Sequence, residues 1–223
     1  MLFSIGDQIG ELIGYLKPDV LINSLLGLLG PWVYAGLFFI VFAETGLAVG
    51  FFLPGDSLLV VSGLFARAGK LDVNLVLIAF FFGSLIGDST GYWTGRLMGA
   101  RLFNREDSRL FKPSRIEAAS GFFAKYGPKT VVLARFMPIV RTFAPMVVGA
   151  SRMPYGRFLT YSFFGSLLWI SSMVLSGYFL GGVVENALGI KLEQHIEKVV
   201  VIVVLLSLLP PAIEYFKYRR ASK

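Results

Sequence analysis

Two arginines and two prolines interrupt one apolar run, Ala134-Arg135-Phe136-Met137-Pro138-Ile139-Val140-Arg141-Thr142-Phe143-Ala144-Pro145. An Arg near the centre of a bilayer costs roughly 2.5–3.5 kcal/mol on insertion scales, so a pair of them marks a site. Proline breaks the backbone ladder at the same place, and broken backbone at membrane depth persists only inside protein or beside a wet cavity. A second apolar stretch, Pro31 to Ala66, carries only two charges, Glu44 and Asp56. Opposite charges from two such segments can neutralise each other. A guanidinium also presents a planar fork that donates paired hydrogen bonds to a phosphate. Together these groups make a switch: protonating a carboxylate frees an arginine for an oxyanion, and losing the proton expels the oxyanion. A purely structural salt-bridge cluster is the plain alternative, but it would not need Pro54 and Gly55 in one segment and Pro138 and Pro145 in the other.

The elements that position these residues follow from length and punctuation. The chain has 223 residues, is 55% hydrophobic and only 16% charged, and its mean hydropathy is +0.70. That composition predicts an all-α integral membrane protein. Residues 1–30 have apolar side chains at helical spacing (Ile5, Ile9, Leu12, Ile13, Leu16, Val20), which predicts an amphipathic helix in the interface. No signal peptide is expected, since the first basic residue is Lys17. The stretch 31–66 is too long for one span of about 20 residues and too short for two spans and a turn. A re-entrant hairpin broken at Leu53-Pro54-Gly55-Asp56-Ser57 fits it. Residues 73–95 form a full span with one acid, Asp88, among Gly83, Ser84, Gly87, Ser89 and Gly91. Asp88 reads either as an inward supporting partner of the site or as an acid near the headgroups.

A polar loop at 100–129 has a basic excess and a capping box at Ser114 and Glu117, so it is expected in the cytoplasm with a short surface helix. A second hairpin over 130–152, a span over 158–184, a last span over 196–216 and a basic tail at 217–223 complete the single membrane domain of 31–216. With the loop and tail cytoplasmic, the chain divides into two units of opposite orientation, each a re-entrant hairpin plus a transmembrane helix, followed by the extra C-terminal helix. Inverted units with broken helices meeting in mid-membrane are a transporter signature.

Several separated motifs carry a family resemblance. Glu44-Thr45-Gly46-Leu47, Phe52-Leu53-Pro54-Gly55-Asp56-Ser57-Leu58-Leu59, Ala134-Arg135-Phe136 through Pro138, and Arg141-Thr142-Phe143-Ala144-Pro145 resemble the DedA family of bacterial membrane proteins over roughly 30–215. The resemblance implies two facing re-entrant hairpins, location in the cytoplasmic (inner) membrane, and transport of undecaprenyl phosphate or a related polyprenyl-phosphate lipid. It also implies that Glu44, Asp56, Arg135 and Arg141 are the essential charges and that proton motive force is involved. Arg135 and Arg141 are then the phosphate ligands and Glu44 and Asp56 the proton-coupling acids. Asp88, Pro54, Gly55, Pro138 and Pro145 stand as supporting residues.

The residue inventory narrows the classes. There is no Cys, and His195 is the only His, so no metal, no other cofactor and no His-based phosphatase is expected. The net charge of +7 reads as topology signal and attraction to anionic lipid, not as a nucleic-acid surface. The chain is therefore expected to be a lipid-phosphate flippase and not an enzyme. A proton-coupled ion antiporter and a structural membrane-homeostasis protein are the competing readings.

Overall fold

The computed structural model describes residues 18–47, 55–103 and 127–189, and every regular element among them is helical. The expected interface helix before residue 18, the surface helix near 114–126 and the last span at 196–216 lie outside the described residues, as do Pro54 and His195. The first helix, α1 (Pro18–Leu29), opens on a proline and has Asp19 in its first turn. Both suit a helix start, where Pro sacrifices no bond and an acid meets the positive end of the dipole. One 3-10 turn, Gly30–Trp32, joins α1 to α2 (Val33–Gly46). The segment expected to end as a separate surface helix at residue 30 instead belongs to one helical run. Asp19–Gly46 is long and apolar enough to cross a membrane, and Ile22 is fully buried beside Val33 and Leu37. Pro31 does not break the run because it sits in the first turn of the 3-10 helix.

Helix α3 (Gly55–Arg67) has 13 residues, about 20 Å of rise. It ends at Gly69, whose φ of +74° permits the closing bond from Lys70 N–H to the Phe65 carbonyl at 3.0 Å. Asp72 then caps α4 (Val73–Phe103), its Oδ1 accepting from the N–H groups of Asn74 and Leu75. This helix is longer than the span expected over 73–95 and carries the chain into what was read as the polar loop. A short α5 (Lys129–Ala134) leads through a turn at 135–137 to α6 (Pro138–Ala150), again 13 residues and with Pro145 inside it. The last described helix, α7 (Tyr155–Leu188), also overruns its expected 158–184 and stops at Gly189, φ +65°. Among the described residues, three runs (Asp19–Gly46, Val73–Met98 and Tyr155–Ala187) have the length and hydropathy of membrane spans. Large apolar side chains cover the outside, among them Leu28, Trp32, Leu97 and Phe179.

Packing is exchanged between the two halves. Helix α2 lies along α4 and α5 along α7, whereas α3 crosses to α7 and α6 crosses to α4. Glycines make the crossings close. A Cβ on Gly63 of α3 would strike the Val174 carbonyl of α7, and one on Gly149 of α6 would strike the Tyr92 carbonyl of α4. Gly177 meets Val60 and Gly95 meets Met146 in the same reciprocal way. Backbone-to-backbone approach of this kind is how helices associate where lipid removes the hydrophobic drive. Helices α4 and α7 run antiparallel: Ser84 faces Ser166, while further along Asp88 meets Ser162 and Tyr92 stacks on Phe158. At their crossing the same sequence stands on both sides. Phe81-Phe82-Gly83-Ser84-Leu85 recurs as Phe163-Phe164-Gly165-Ser166-Leu167, and Phe81 touches Phe163 edge to face at 5.1 Å.

Candidate functional site: an ion-pair cluster between broken helices

Five ionisable side chains collect where the helices are interrupted. Glu44 lies in the last turn of α2 and Asp56 in the first turn of α3, flanking the first break. Arg135 caps α5, and Arg141 falls in the first turn of α6, flanking the second. Asp88 comes from the middle of α4. At 13 residues each, about 20 Å of rise, α3 and α6 are individually too short to cross a hydrocarbon core of about 30 Å. Glycine lets the first break close: a Cβ on Gly55 would overlap the Glu44 carboxylate. Pro138 starts α6 after extended Met137, and Arg141 N–H then closes the first helical bond to the Met137 carbonyl at 3.0 Å. Pro145 has no N–H for the carbonyl of Arg141 and packs on Gly91 of α4.

The pairing is specific. Arg141 is clamped between two carboxylates, Nη2 on Glu44 Oε1 and Nη1 on Asp56 Oδ1. Arg135 is held elsewhere: Nη2 pairs with Asp88 Oδ2, Nη1 donates to Ser84 Oγ at 2.8 Å, and Nη2 also donates to Ser162 Oγ at 3.0 Å. Ser162 in turn donates to Asp88, and Ser84 is shared with Ser166 at 3.3 Å. Expectation and geometry differ here. Glu44 and Asp56 do not divide the two arginines between them. They converge on one, and Asp88, one of whose two readings was an inward supporting acid, neutralises the other. A buried charge needs a partner, and Arg135 sits nearer the α4–α7 crossing than the first break.

The acids that hold the two arginines differ in access. Arg135, Asp88, Glu44 and Arg141 are all buried, but the Asp56 side chain keeps 34% of its surface. A cavity of about 10 Å³, room for a single water, lies among Asp88, Arg135, Arg141, Ala144 and Pro145. A much larger groove of about 680 Å³ runs along the outer face of α4 and α7 past Trp93, Leu97 and Tyr155, and none of the cluster's charges lines it.

Sequence reasoning missed Trp169 and the serines. Trp169 of α7 is fully buried, donates its indole N–H to Asp56 Oδ1 at 3.1 Å, and lies under the Arg141 guanidinium at 4.7 Å. In the sequence it is one aromatic in an uncharged span. The serines carried a signal that went unused, the repeated Phe-Phe-Gly-Ser-Leu stretch, which marks Ser84 and Ser166 as equivalent positions.

Apolar exterior, spanning helices and ion pairs enclosed at the breaks define a class: a multi-pass membrane protein with its polar chemistry inside. Comparison with known proteins agrees. The VTT domain matches residues 53–179. The chain is 39% identical over 209 residues to the protein DedA of Escherichia coli (strain K12), covering 93% of each chain. It is 38% identical over 199 residues to an uncharacterized membrane protein of Mycobacterium tuberculosis, covering 88% of this chain and 85% of the other. To an uncharacterized membrane protein of Synechocystis it is 35% identical over 165 residues, 73% of this chain and 74% of the other. No solved structure matches it. The chain belongs to the DedA family of VTT-domain membrane proteins.

Proposed function

We propose that this protein is a proton-coupled flippase of polyprenyl-phosphate lipid, with undecaprenyl phosphate as the cargo to test first. The observation that carries the reading is the clamp on Arg141: two carboxylates from one broken segment hold a guanidinium from the other. Three carboxylates face two guanidiniums in the cluster, so one proton balances it, and protonating Glu44 or Asp56 loosens the grip on Arg141. The freed fork is a phosphate donor. Asp56 is the most open of the acids and the natural point for a proton or a headgroup to enter. Arg135 lines the same small cavity and, held by Asp88, Ser84 and Ser162, braces the site while Arg141 moves.

Alternating access would come from two re-entrant hairpins in inverted units. The exchanged packing of α3 and α6, the antiparallel α4 and α7, and the reciprocal glycine contacts support that reading. In this scheme the protein resides in the inner membrane with the polar stretch expected over 100–129 and the C-terminus in the cytoplasm. The sequence contains no Cys, so single cysteines report sidedness without background. Cysteines near residue 129 and near residue 152 should both label from the cytoplasm; labelling from opposite faces would remove the second re-entrant hairpin. Transport itself is tested in proteoliposomes carrying undecaprenyl phosphate. Lipid crossing that accelerates with an imposed pH gradient supports the proposal. Proton movement driven by a cation, with no lipid crossing, would favour an antiporter.

A further inference from the structure

Trp169 touches both members of the clamp's open pair. Its indole edge donates to Asp56 Oδ1 at 3.1 Å, and its ring face lies 4.7 Å from the Arg141 guanidinium carbon. Indole offers one donor and no acceptor, so the edge can serve only the ionised or acceptor face of Asp56. The face serves only a cation, and more strongly when that cation is out of water. The side chain is fully buried and comes from α7, whereas the two charges come from α3 and α6.

We propose that Trp169 is a positioning residue for the ion-pair switch: it contacts Asp56 and Arg141 at once and keeps a contact with each after they separate. Splitting a buried pair ordinarily strands two charges. Here the carboxylate keeps an N–H and the guanidinium keeps a π face. Arg141 can then leave for a phosphate monoester without Asp56 first being protonated. The inference rests on the phosphate-lipid reading of the same cluster and adds to it the residue that makes separation tolerable. The other charges around the pair are Glu44 from α2, which also grips Arg141, and the Asp88–Arg135 pair from α4 and the second break.

Two variants separate the edge from the face. Trp169→Phe keeps a ring under Arg141 and loses the N–H; Trp169→Leu loses both. In nanodiscs containing undecaprenyl phosphate, Trp169→Phe should bind about tenfold more weakly than wild type at neutral and alkaline pH, the size of one lost hydrogen bond to a charged group. It should match wild type at acid pH, where a protonated Asp56 no longer needs the donor. Trp169→Leu should be weaker at every pH. A Phe variant that equals wild type throughout, or is weakened equally at all pH values, would overturn the proposal, because a space-filling indole has no pH profile.

A second readout needs no lipid. With Trp32→Phe and Trp93→Phe, both at exposed positions, Trp169 becomes the sole indole. Its emission should shift on acidification in empty nanodiscs, keep that shift in Glu44→Gln and lose it in Asp56→Asn. An emission insensitive to pH, or equally sensitive in Asp56→Asn, would also overturn the proposal. If no variant and no wild type binds the lipid while the emission behaves as described, the phosphate-lipid reading fails and the role of Trp169 stands.

Discussion

Arg135 and Arg141 are near neighbours in the same broken segment, yet their surroundings assign them different work. Arg135 is enclosed: one carboxylate, two serine hydroxyls and a third serine behind them, all from the two long helices that cross at Ser84 and Ser166. Arg141 is clamped by two carboxylates from the opposite break, one of them a third exposed, with an indole beneath it. The first arrangement has a matched charge and hydrogen bonds on both terminal guanidinium nitrogens, which is how a brace is built. The second has an excess of negative charge and an open edge, which is how a switch is built. Similarity of residue type and position therefore does not imply similarity of role; the partner set decides.

The largest effect expected from breaking this comparison is on stability. Asp88→Asn leaves Arg135 buried without its carboxylate at the α4–α7 crossing and should cost about 3–5 kcal/mol, the usual penalty for orphaning a buried charge. Asp56→Asn should cost much less, because Glu44 still neutralises Arg141 and an amide oxygen can still accept from Trp169. Thermal unfolding in detergent measures both. Equal losses would mean that the two pairs are the same kind of brace.

The next effect tests the exchanged packing. Gly63→Ala and Gly149→Ala each place a methyl group against a carbonyl of the facing helix, Val174 in one case and Tyr92 in the other. Forced separation of packed elements costs about 1–3 kcal/mol, and the two variants should lose similar amounts. A large loss in one and none in the other would show that the halves are held together unequally.

A smaller effect on the fold, with a larger one on function, is expected from Arg→Lys. The ammonium keeps the charge but cannot span two carboxylates as a fork. Arg141→Lys should leave the unfolding temperature nearly unchanged and abolish tight phosphate-lipid binding. Arg135→Lys should reverse the order, losing stability as the contacts to Ser84 and Ser162 fail. Transport assays beside melting curves separate these outcomes.

Much of this was legible before any coordinates. Charges cost so much at membrane depth that Glu44, Asp56, Arg135 and Arg141 stood out, and they do meet in one cluster; Pro138 marks a helix start, whereas Pro145 lies inside α6 without ending it. The partners were not legible. No spacing rule links Asp88 to Arg135 or Asp56 to Trp169, because these contacts depend on how α4 and α7 cross, and that is set by glycines meeting carbonyls on distant segments. The join of α1 to α2 departs from the expected separate helix over 1–30 for a related reason: a single 3-10 turn at Gly30–Trp32 carries the helical run on, and Ile22 packs into the same core.

The central claim, that Arg141 is released by its acids while Arg135 stays braced, is tested most directly by lipid affinity against pH. Undecaprenyl phosphate binding to purified wild type, Asp56→Asn and Asp88→Asn would be measured in nanodiscs across an acid-to-alkaline series. Wild type should bind more tightly as pH falls, because protonation of Glu44 or Asp56 frees Arg141. Asp56→Asn should bind more tightly than wild type at neutral and alkaline pH, with only the smaller pH dependence that Glu44 leaves, and Asp88→Asn, where it folds, should keep the wild-type dependence. A wild-type pH profile in Asp56→Asn, or a flat one in Asp88→Asn, would contradict the account.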